Sequence, residues 1–406
     1  MNTLLLTLLA STLGTPQAKP SQPTIELFET TPLETTLDRE DLRQTHEAWL
    51  EMLTGAKHTV DLEHFYFSEA PEGVEHTGLL DAVLSELVLA AQRGVKVRIV
   101  ADAGFHDTYP EPLDRLDATL NIDVRLFDMR RCTGGVVHAK LMIVDGEDVY
   151  LGSPNFDWRS LEHVQELGVR VRSRELANDF GDVFELDWRL AAGEAAPTVD
   201  EMKSKGTFAP IRLEYEGEAT VLTPVASPQS LLPDPKAWDL PRIVELLDGA
   251  TKSVRLQMLS YGTKEHEGLF ADIDSALRRA EARGVRVQLL FADWSASSSK
   301  LPALKSLQVL ARVEVRLTTI PEWSKGFVEF ARVAHSKFIT VDGARSWIGT
   351  SNGSQDYFTA SRNVGLVVDG TRFAADLEAS FDLLWTSPYA RTIDPCADYT
   401  PPRRSR

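Results

Sequence analysis

The chain has 406 residues, 43 Lys and Arg against 60 Asp and Glu, a net charge of −17 and 43% hydrophobic residues. This length accommodates two domains, each with its own core, and the composition excludes a disordered chain. The acidity excludes a global cationic footprint for phosphate backbones and leaves only a local basic patch. The two cysteines, Cys132 and Cys396, cannot build a metal cluster and allow at most one internal disulfide.

Residues 1–22 are expected to be a signal peptide with a mature N-terminal tail. Their apolar run from Leu4 to Leu13 is too short to span a bilayer, and cleavage is expected near Ala18. That points to a secreted or periplasmic protein, with a cytoplasmic one as the alternative. Residues 23–195 read as a first α/β half. In "LTGAKHTVDLEHFYFS" (Leu53–Ser68) a helix end and a Gly turn precede a β-rich run. In "LVLAAQRGVKVRIVAD" (Leu87–Asp102) a helix is capped by Gly94 and followed by a second β-run. "LMIVD" and "VYLGS" read as strands of a hairpin turned by "DGED". Residues 196–240, rich in Pro, Gly, Ser and charge, read as a partly ordered interdomain segment.

Residues 241–395 then repeat the first half. "LDGATKSVRLQMLSYG" (Leu247–Gly262), "ALRRAEARGVRVQLLFAD" (Ala276–Asp293, capped by Gly284) and the pair "FITVD" and "SWIGT" around "DGAR" follow in the same order. A short tail, residues 396–406, closes the chain. Strands alternating with helices predict an α/β fold. The duplication predicts two fused halves related by a pseudo-two-fold axis, with the active site at their interface.

The strongest repetition is "HAKLMIVDGEDVYLGSPN" (His138–Asn155) against "HSKFITVDGARSWIGTSN" (His335–Asn352). Residues two apart on a strand face the same way, so His138 and Lys140 share a face, as do His335 and Lys337. Each Asn lies seventeen residues after its His, and Ser153 and Thr350 stand two residues before it. Each half thus offers an imidazole, a cation and neutral donors. Two such sets facing each other would form an anion cage suited to phosphoryl transfer, one imidazole attacking phosphorus and the other protonating the leaving oxygen. A lone strand histidine is more often structural, and most of the nine His fit that description. The twofold recurrence of five fixed identities sets these two apart.

HxK(x)4D(x)6G(S/T)xN written twice resembles the signature of the phospholipase D superfamily. "YLGSPNFDWRSLEHVQELGV" (Tyr150–Val169) and "IGTSNGSQDYF" (Ile348–Phe358) are most similar to its lysosomal branch, which acts as a 5′-exonuclease on single-stranded nucleic acid. Phospholipid transfer is also claimed for that branch, and the pox-virus envelope phospholipases are close relatives. The resemblance implies that His138 and His335 are catalytic. It implies that Lys140, Lys337, Asn155, Asn352, Ser153 and Thr350 bind phosphate, and that Asp145 and Asp342 hold the fold. Glu166, twenty-eight residues after His138, matches a glutamate that orients an imidazole, and Asn363 stands at that offset in the second half. His138 is expected to attack and His335 to act as the acid. Close relatives carry Trp after the second Asn, where Gly353 stands, so a more open pocket wall is expected there.

No metal or cofactor is called for, because two lysines supply the charge a metal would bring. The expected partner is a phosphodiester, either single-stranded nucleic acid or phospholipid. No stable protein partner is expected, and the state is a monomer or homodimer. Arg130 and Arg131 could guide a polyanion or be solvated. Trp323, Phe327 and Phe330 could stack a base, although core packing is the more common fate. His64 could support the site. Cys132 is expected to be a free thiol. The competing functional classes are a phosphatidyltransferase and a decayed binding module.

Overall fold

The computed structural model describes residues 23–195, 204–265 and 268–405; the expected signal segment lies outside the described residues. The first half runs β1 (Thr24–Thr30), α1 (Thr45–Gly55), β2 (Thr59–His64), α2 (Leu79–Gln92), β3 (Lys96–Asp102), β4 (Ile122–Phe127), β5 (Lys140–Val144), β6 (Asp148–Gly152), β7 (Val164–Arg172) and α3 (Arg174–Ala191). A bridging strand, β8 (Ile211–Tyr215), follows. The second half repeats the order as β9 (Glu218–Ser227), α4 (Asp239–Asp248), β10 (Ser253–Met258), α5 (Asp272–Ala282), β11 (Arg286–Ala292), β12 (Val313–Thr318), β13 (Phe338–Val341), β14 (Arg345–Gly349), β15 (Asn363–Asp369) and α6 (Thr371–Thr386), after which β16 (Ala390–Thr392) flanks β12.

In the first half β4, β3 and β2 run parallel, and β5, β6, β7 and β1 continue the sheet antiparallel. The second half repeats this with β12, β11 and β10 parallel, then β13, β14, β15 and β9. β8 pairs with β9 along its length and meets β1 at Thr24↔Glu214, so one sheet runs through the molecule. The predicted α/β fold with two related halves is the fold observed.

Local sequence accounts for the elements. α1 buries Thr45, Ala48, Trp49, Met52 and Leu53, the three-and-four spacing of an amphipathic helix, and Gln44 with Glu47 closes a capping box. α4 buries Leu240, Ile243, Leu246 and Leu247 at the same spacing. The β3 and β11 strands are nearly continuously buried because helices cover both sheet faces. Phe180 and Val183 of α3 share a core with Phe373 and Phe381 of α6, together with Leu151 and Ile348. The halves are therefore not separable bodies. Among the described residues, no helix is long and apolar enough to cross a membrane.

Residues 196–240 were expected to be a partly ordered interdomain segment, and β9 lies within them, taking the sheet position that β1 takes in the first half. Prolines hid the strand: Pro224 sits inside it opposite Leu366, where a residue without an N–H disguises the β pattern.

Both hairpins turn as their Asp-Gly pairs predict. Asp145 and Gly146 have φ of 52° and 63°, and Asp342 and Gly343 have 57° and 64°, the left-handed pair of a tight turn, closed by the Glu147 N–H on the Val144 carbonyl and the Ala344 N–H on that of Val341. Each aspartate also reaches back to the loop before the neighbouring strand. Asp145 accepts the backbone N–H groups of Lys57, His58 and Thr59 at 2.9, 2.7 and 2.9 Å. Asp342 accepts those of Thr251, Lys252 and Ser253 at 2.9, 2.7 and 2.9 Å. These bonds outweigh partial burial and hold both carboxyls below the ordinary range. Replacing Asp145 with Ala removes three charge-assisted acceptors and is expected to cost about 2 kcal/mol in urea unfolding, with kcat retained at permissive temperature. A large loss of kcat without loss of stability would instead put Asp145 in the site.

Candidate active site

The two halves exchange strands where the motifs begin. Val137 bridges Arg362 in parallel, and the His138 N–H donates to the Arg362 carbonyl at 2.9 Å. Across the pseudo-dyad, Val164 and Gln165 pair with Val333 and Ala334, and the His335 N–H donates to the Gln165 carbonyl at 2.8 Å. In each case the next residue of the crossing strand places its side chain on the imidazole. His138 Nδ1 meets Asn363 Oδ1 at 3.0 Å, and His335 Nδ1 meets Glu166 Oε2 at 2.8 Å. Glu166 therefore orients the histidine of the opposite half. The offset from His138 measures distance along the chain, whereas β7 carries Glu166 across the dyad.

The two imidazoles are held differently. Asn363 Nδ2 donates to the carbonyls of Tyr357 (2.7 Å) and Ser361 (3.3 Å), so its amide cannot turn over. Its oxygen, which also accepts from the Thr350 hydroxyl at 2.9 Å, faces His138. His138 must then carry its proton on Nδ1, leaving the Nε2 lone pair bare. Glu166 accepts the Ser160 hydroxyl on its other oxygen at 2.6 Å and gives His335 an ionic partner. Burial pushes the Glu166 carboxyl up, but the His335 charge and hydrogen bond prevail and hold it below the ordinary range. Burial drives His138 well below 6.5, reinforced by the Lys140 and Lys337 charges. Burial lowers His335 too, and Glu166 opposes it there.

Ser153 and Thr350 do not face the phosphate site as expected. Both are fully buried, and their hydroxyls bond the backbone of β7 and β15: Ser153 with Leu167 at 3.1–3.2 Å, Thr350 with the Val364 N–H at 3.1 Å. Lys140 and Lys337 are fully buried and donate to the carbonyls of His138 and His335. Burial lowers both ammonium groups, Lys140 well below its ordinary value and Lys337 to about 7. A bound anion would restore their charge.

Both imidazoles open onto a cavity of about 350 Å³, with Asn155 and Asn352 in its lining. The Asn155 oxygen and both amide atoms of Asn352 are buried without a protein partner. Orphaned amides beside two imidazoles are what a ligand would satisfy. Phe65, Tyr66, Phe105 and Tyr109 wall one side, and Leu259, Trp294 and Phe330 the other. Tyr66 donates to Asp157 at 2.8 Å, and Arg159 pairs with the same carboxylate at 2.8 Å. Sequence reasoning named Phe330 alone among these wall residues; for Phe65 and Tyr66 the aromatic run "HFYF" was the available signal. Among the described residues, no three His, Cys, Asp or Glu side chains are grouped to hold a metal ion.

Other expectations resolve individually. Arg130 and Arg131 are exposed and outside the cavity lining, and Arg131 pairs with Asp128 at 2.8 Å. Trp323 packs on His163 at 4.8 Å in the first half's core, whereas Phe330 lines the cavity and is 44% exposed. His64 is buried against Trp49 and Phe156 and does not reach the cavity. Both cysteines are free and exposed. The wall at Gly353 is not open, because Tyr261 fills it: a Cβ there would meet the Tyr261 ring at 2.8 Å.

Comparisons with known proteins agree with this geometry. Residues 49–188 and 243–385 each match the family described as "Cardiolipin synthase, PLD-like domain". The chain is 34% identical over 384 residues to the 5′-3′ exonuclease PLD3 of Macaca fascicularis, covering 87% of this chain and 77% of that one. It is 30% identical over 387 residues to Phospholipase D Z of Dictyostelium discoideum, covering 90% of both. Phosphatidylserine synthase of Haemophilus influenzae shares the fold, with a TM-score of 0.58 and 13% identity over 86% of this chain and 85% of that one. Polyphosphate kinase of Porphyromonas gingivalis does so with a TM-score of 0.56 and 15% identity over 91% of this chain and 48% of that one.

The different partners predict an order of titration. In ¹⁵N NMR, His335 should take up its proton at a higher pH than His138, and both below 6.5. Glu166→Gln should move the His335 midpoint down and leave His138 nearly unchanged. Coincident midpoints in the native protein would remove the distinction drawn between them.

Proposed function

The chain belongs to the phospholipase D superfamily and is a phosphodiesterase, and on that premise we propose that it is a metal-independent 5′-exonuclease on single-stranded nucleic acid, working through a covalent phosphohistidine. The observation that carries the mechanism is the unequal pair of partners, Asn363 on His138 and Glu166 on His335. An imidazole fixed as the Nδ1–H tautomer and driven toward its neutral form is a nucleophile. One facing a buried carboxylate retains a proton to give.

In the first step His138 Nε2 attacks phosphorus, the bond to the leaving 5′ oxygen breaks, and His335 gives that oxygen its proton. Lys140, Lys337, Asn155 and Asn352 offset the charge on the non-bridging oxygens. In the second step water attacks phosphorus and passes its proton to His335. The P–N bond breaks and the electron pair returns to His138, releasing a 3′-phosphorylated nucleotide.

The aromatic walls favour a nucleobase, because every base has a face to stack. Relatives named 5′-3′ exonuclease support the same substrate. The second reading, hydrolysis or transfer of phospholipid headgroups, draws on the half-exposed Phe330 at the cavity and on the relative named Phospholipase D Z. Against it stands a charge of −17, which anionic bilayers repel.

Turnover needs His138 neutral and His335 protonated. Activity should therefore rise with pH through the His138 midpoint and fall through that of His335, giving an optimum below 6.5. A labelled 5′-hydroxyl oligonucleotide, assayed beside phosphatidylcholine and phosphatidylglycerol vesicles in excess EDTA from about pH 5 to 8, should show stepwise release of nucleoside 3′-phosphates on the acid side. Headgroup release with an intact oligonucleotide would promote the lipid reading, and dependence on a divalent ion would overturn the roles given to the lysines.

A substrate with a good leaving group needs no acid for the first step. His335→Ala treated with bis(p-nitrophenyl) phosphate should accumulate the phosphoryl adduct on His138, detected by mass spectrometry. An adduct on His335 in His138→Ala would reverse the two roles.

A further inference from the structure

We propose that Arg403 and Arg404 form a second phosphate subsite where the catalytic cavity meets the adjoining cleft, gripping the backbone of the strand on the leaving-group side. This inference rests on the nuclease reading above and adds a part of the site that neither motif contains.

A polyanion approaching a protein of charge −17 needs a local cation. Within the cavity lining the one guanidinium, Arg159, is committed to Asp157. The adjoining cleft, about 870 Å³, is lined by Glu69, Glu72, Glu111 and Glu329, of which Glu69 pairs with Arg115 at 2.6 Å, and Phe327 forms part of its wall. The side carrying Trp294 and Phe330 is where the chain's last described residues arrive.

Their path is fastened. Lys305 donates to the Ala397 carbonyl at 2.6 Å, and the Asp394 N–H donates to the Tyr399 hydroxyl at 2.6 Å. Farther on, the Phe330 N–H donates to the Arg404 carbonyl at 2.8 Å, tying the tail to a cavity-lining residue whose φ is 53°. A non-glycine residue in that conformation carries strain, which the fixed surroundings sustain. The guanidinium of Arg404 lies 5.4 Å from the Trp294 ring, and that of Arg403 lies 3.8 Å from the Phe327 ring. Both side chains are exposed. Stacking a guanidinium on a ring orders it and leaves its N–H edges free for phosphate.

The side matters. Trp294 and Phe330 line the cavity onto which His335 opens, and His335 gives its proton to the leaving oxygen. The strand that departs carries the remaining phosphates and passes this junction. The tail therefore acts on strands with several phosphates and has little to hold on a single diester.

The test compares native protein with Arg403→Ala/Arg404→Ala and with Arg403→Lys/Arg404→Lys on two substrates, a twelve-nucleotide 5′-hydroxyl strand and bis(p-nitrophenyl) phosphate. The alanine variant should raise KM for the strand roughly tenfold at nearly constant kcat, and change kcat/KM for the small diester less than twofold. Its log KM should also depend less steeply on log salt, by about 1.4, at about 0.7 per lost phosphate contact on a single strand. The lysine variant should restore the salt slope, since the charge is kept, but only part of the binding, because an ammonium neither stacks flat on the ring nor presents a bidentate edge. Unchanged KM and salt slope for the strand would overturn the subsite while leaving the nuclease reading intact. Equal losses on both substrates would make the arginines merely structural. A native protein that leaves the strand uncut and releases lipid headgroups would end both proposals.

Discussion

Everything at the site depends on two backbone hydrogen bonds that cross the pseudo-dyad, from His138 to Arg362 and from His335 to Gln165. Each fixes a histidine against the opposite half and sets the register by which the next residue reaches the imidazole. The crossing is anchored deeply. Arg362 is fully buried and paired bidentately with Asp187, one bond being 2.8 Å, and its other donors meet the carbonyls of Ser227 and Leu231. Such a pair contributes little net stability over an apolar isostere, but losing one partner strands a charge in the core. The ion pair thus functions chiefly as a register pin. On the other side, Gln165 is held by Gln257 at 2.7 Å and Ser336 at 3.2 Å, with neutral groups in place of the ion pair.

The duplicated motif would give two equivalent imidazoles if its surroundings were equal. They differ by one residue type at one position, glutamate against asparagine. A carboxylate can hold a proton on its partner; an amide with both N–H bonds already committed offers the imidazole only an uncharged acceptor. Ser153 and Thr350 reinforce the difference, since each braces the strand that carries an orienting residue. Burial lowers both histidines and both lysines of the motifs, and the buried Glu166 partly compensates Lys140, Lys337 and His335.

Much of this was legible in the residues. The Asp-Gly turns, the glycines closing the helices and the His-Lys-Asn spacing each have a local physical cause, and each appears where it was expected. Gly94 and Gly284 have φ of 95° and 91°, as left-handed helix caps require. What stayed hidden was non-local. β9 could not be read through Pro224, because the sheet tolerates a proline that a single-strand pattern does not reveal. The partner of Glu166 could not be read from its offset, because the exchange of strands is a property of the assembled dyad. Gly353 suggested an open wall only until Tyr261, from a loop ninety-two residues earlier (353 − 261), was seen to occupy it. The aromatic walls gather residues from several loops that share no motif.

The shared core of α3 and α6 and the crossed strands have a consequence for descent. In a symmetric pair of identical single-half chains, any change at the orienting position falls on both imidazoles at once. Two carboxylates or two amides would result, and neither imidazole could specialise without the other. Joining the copies in one chain removes that constraint. After fusion, one gene can mutate position 166 and position 363 independently, so a division of labour between donor and attacker becomes heritable.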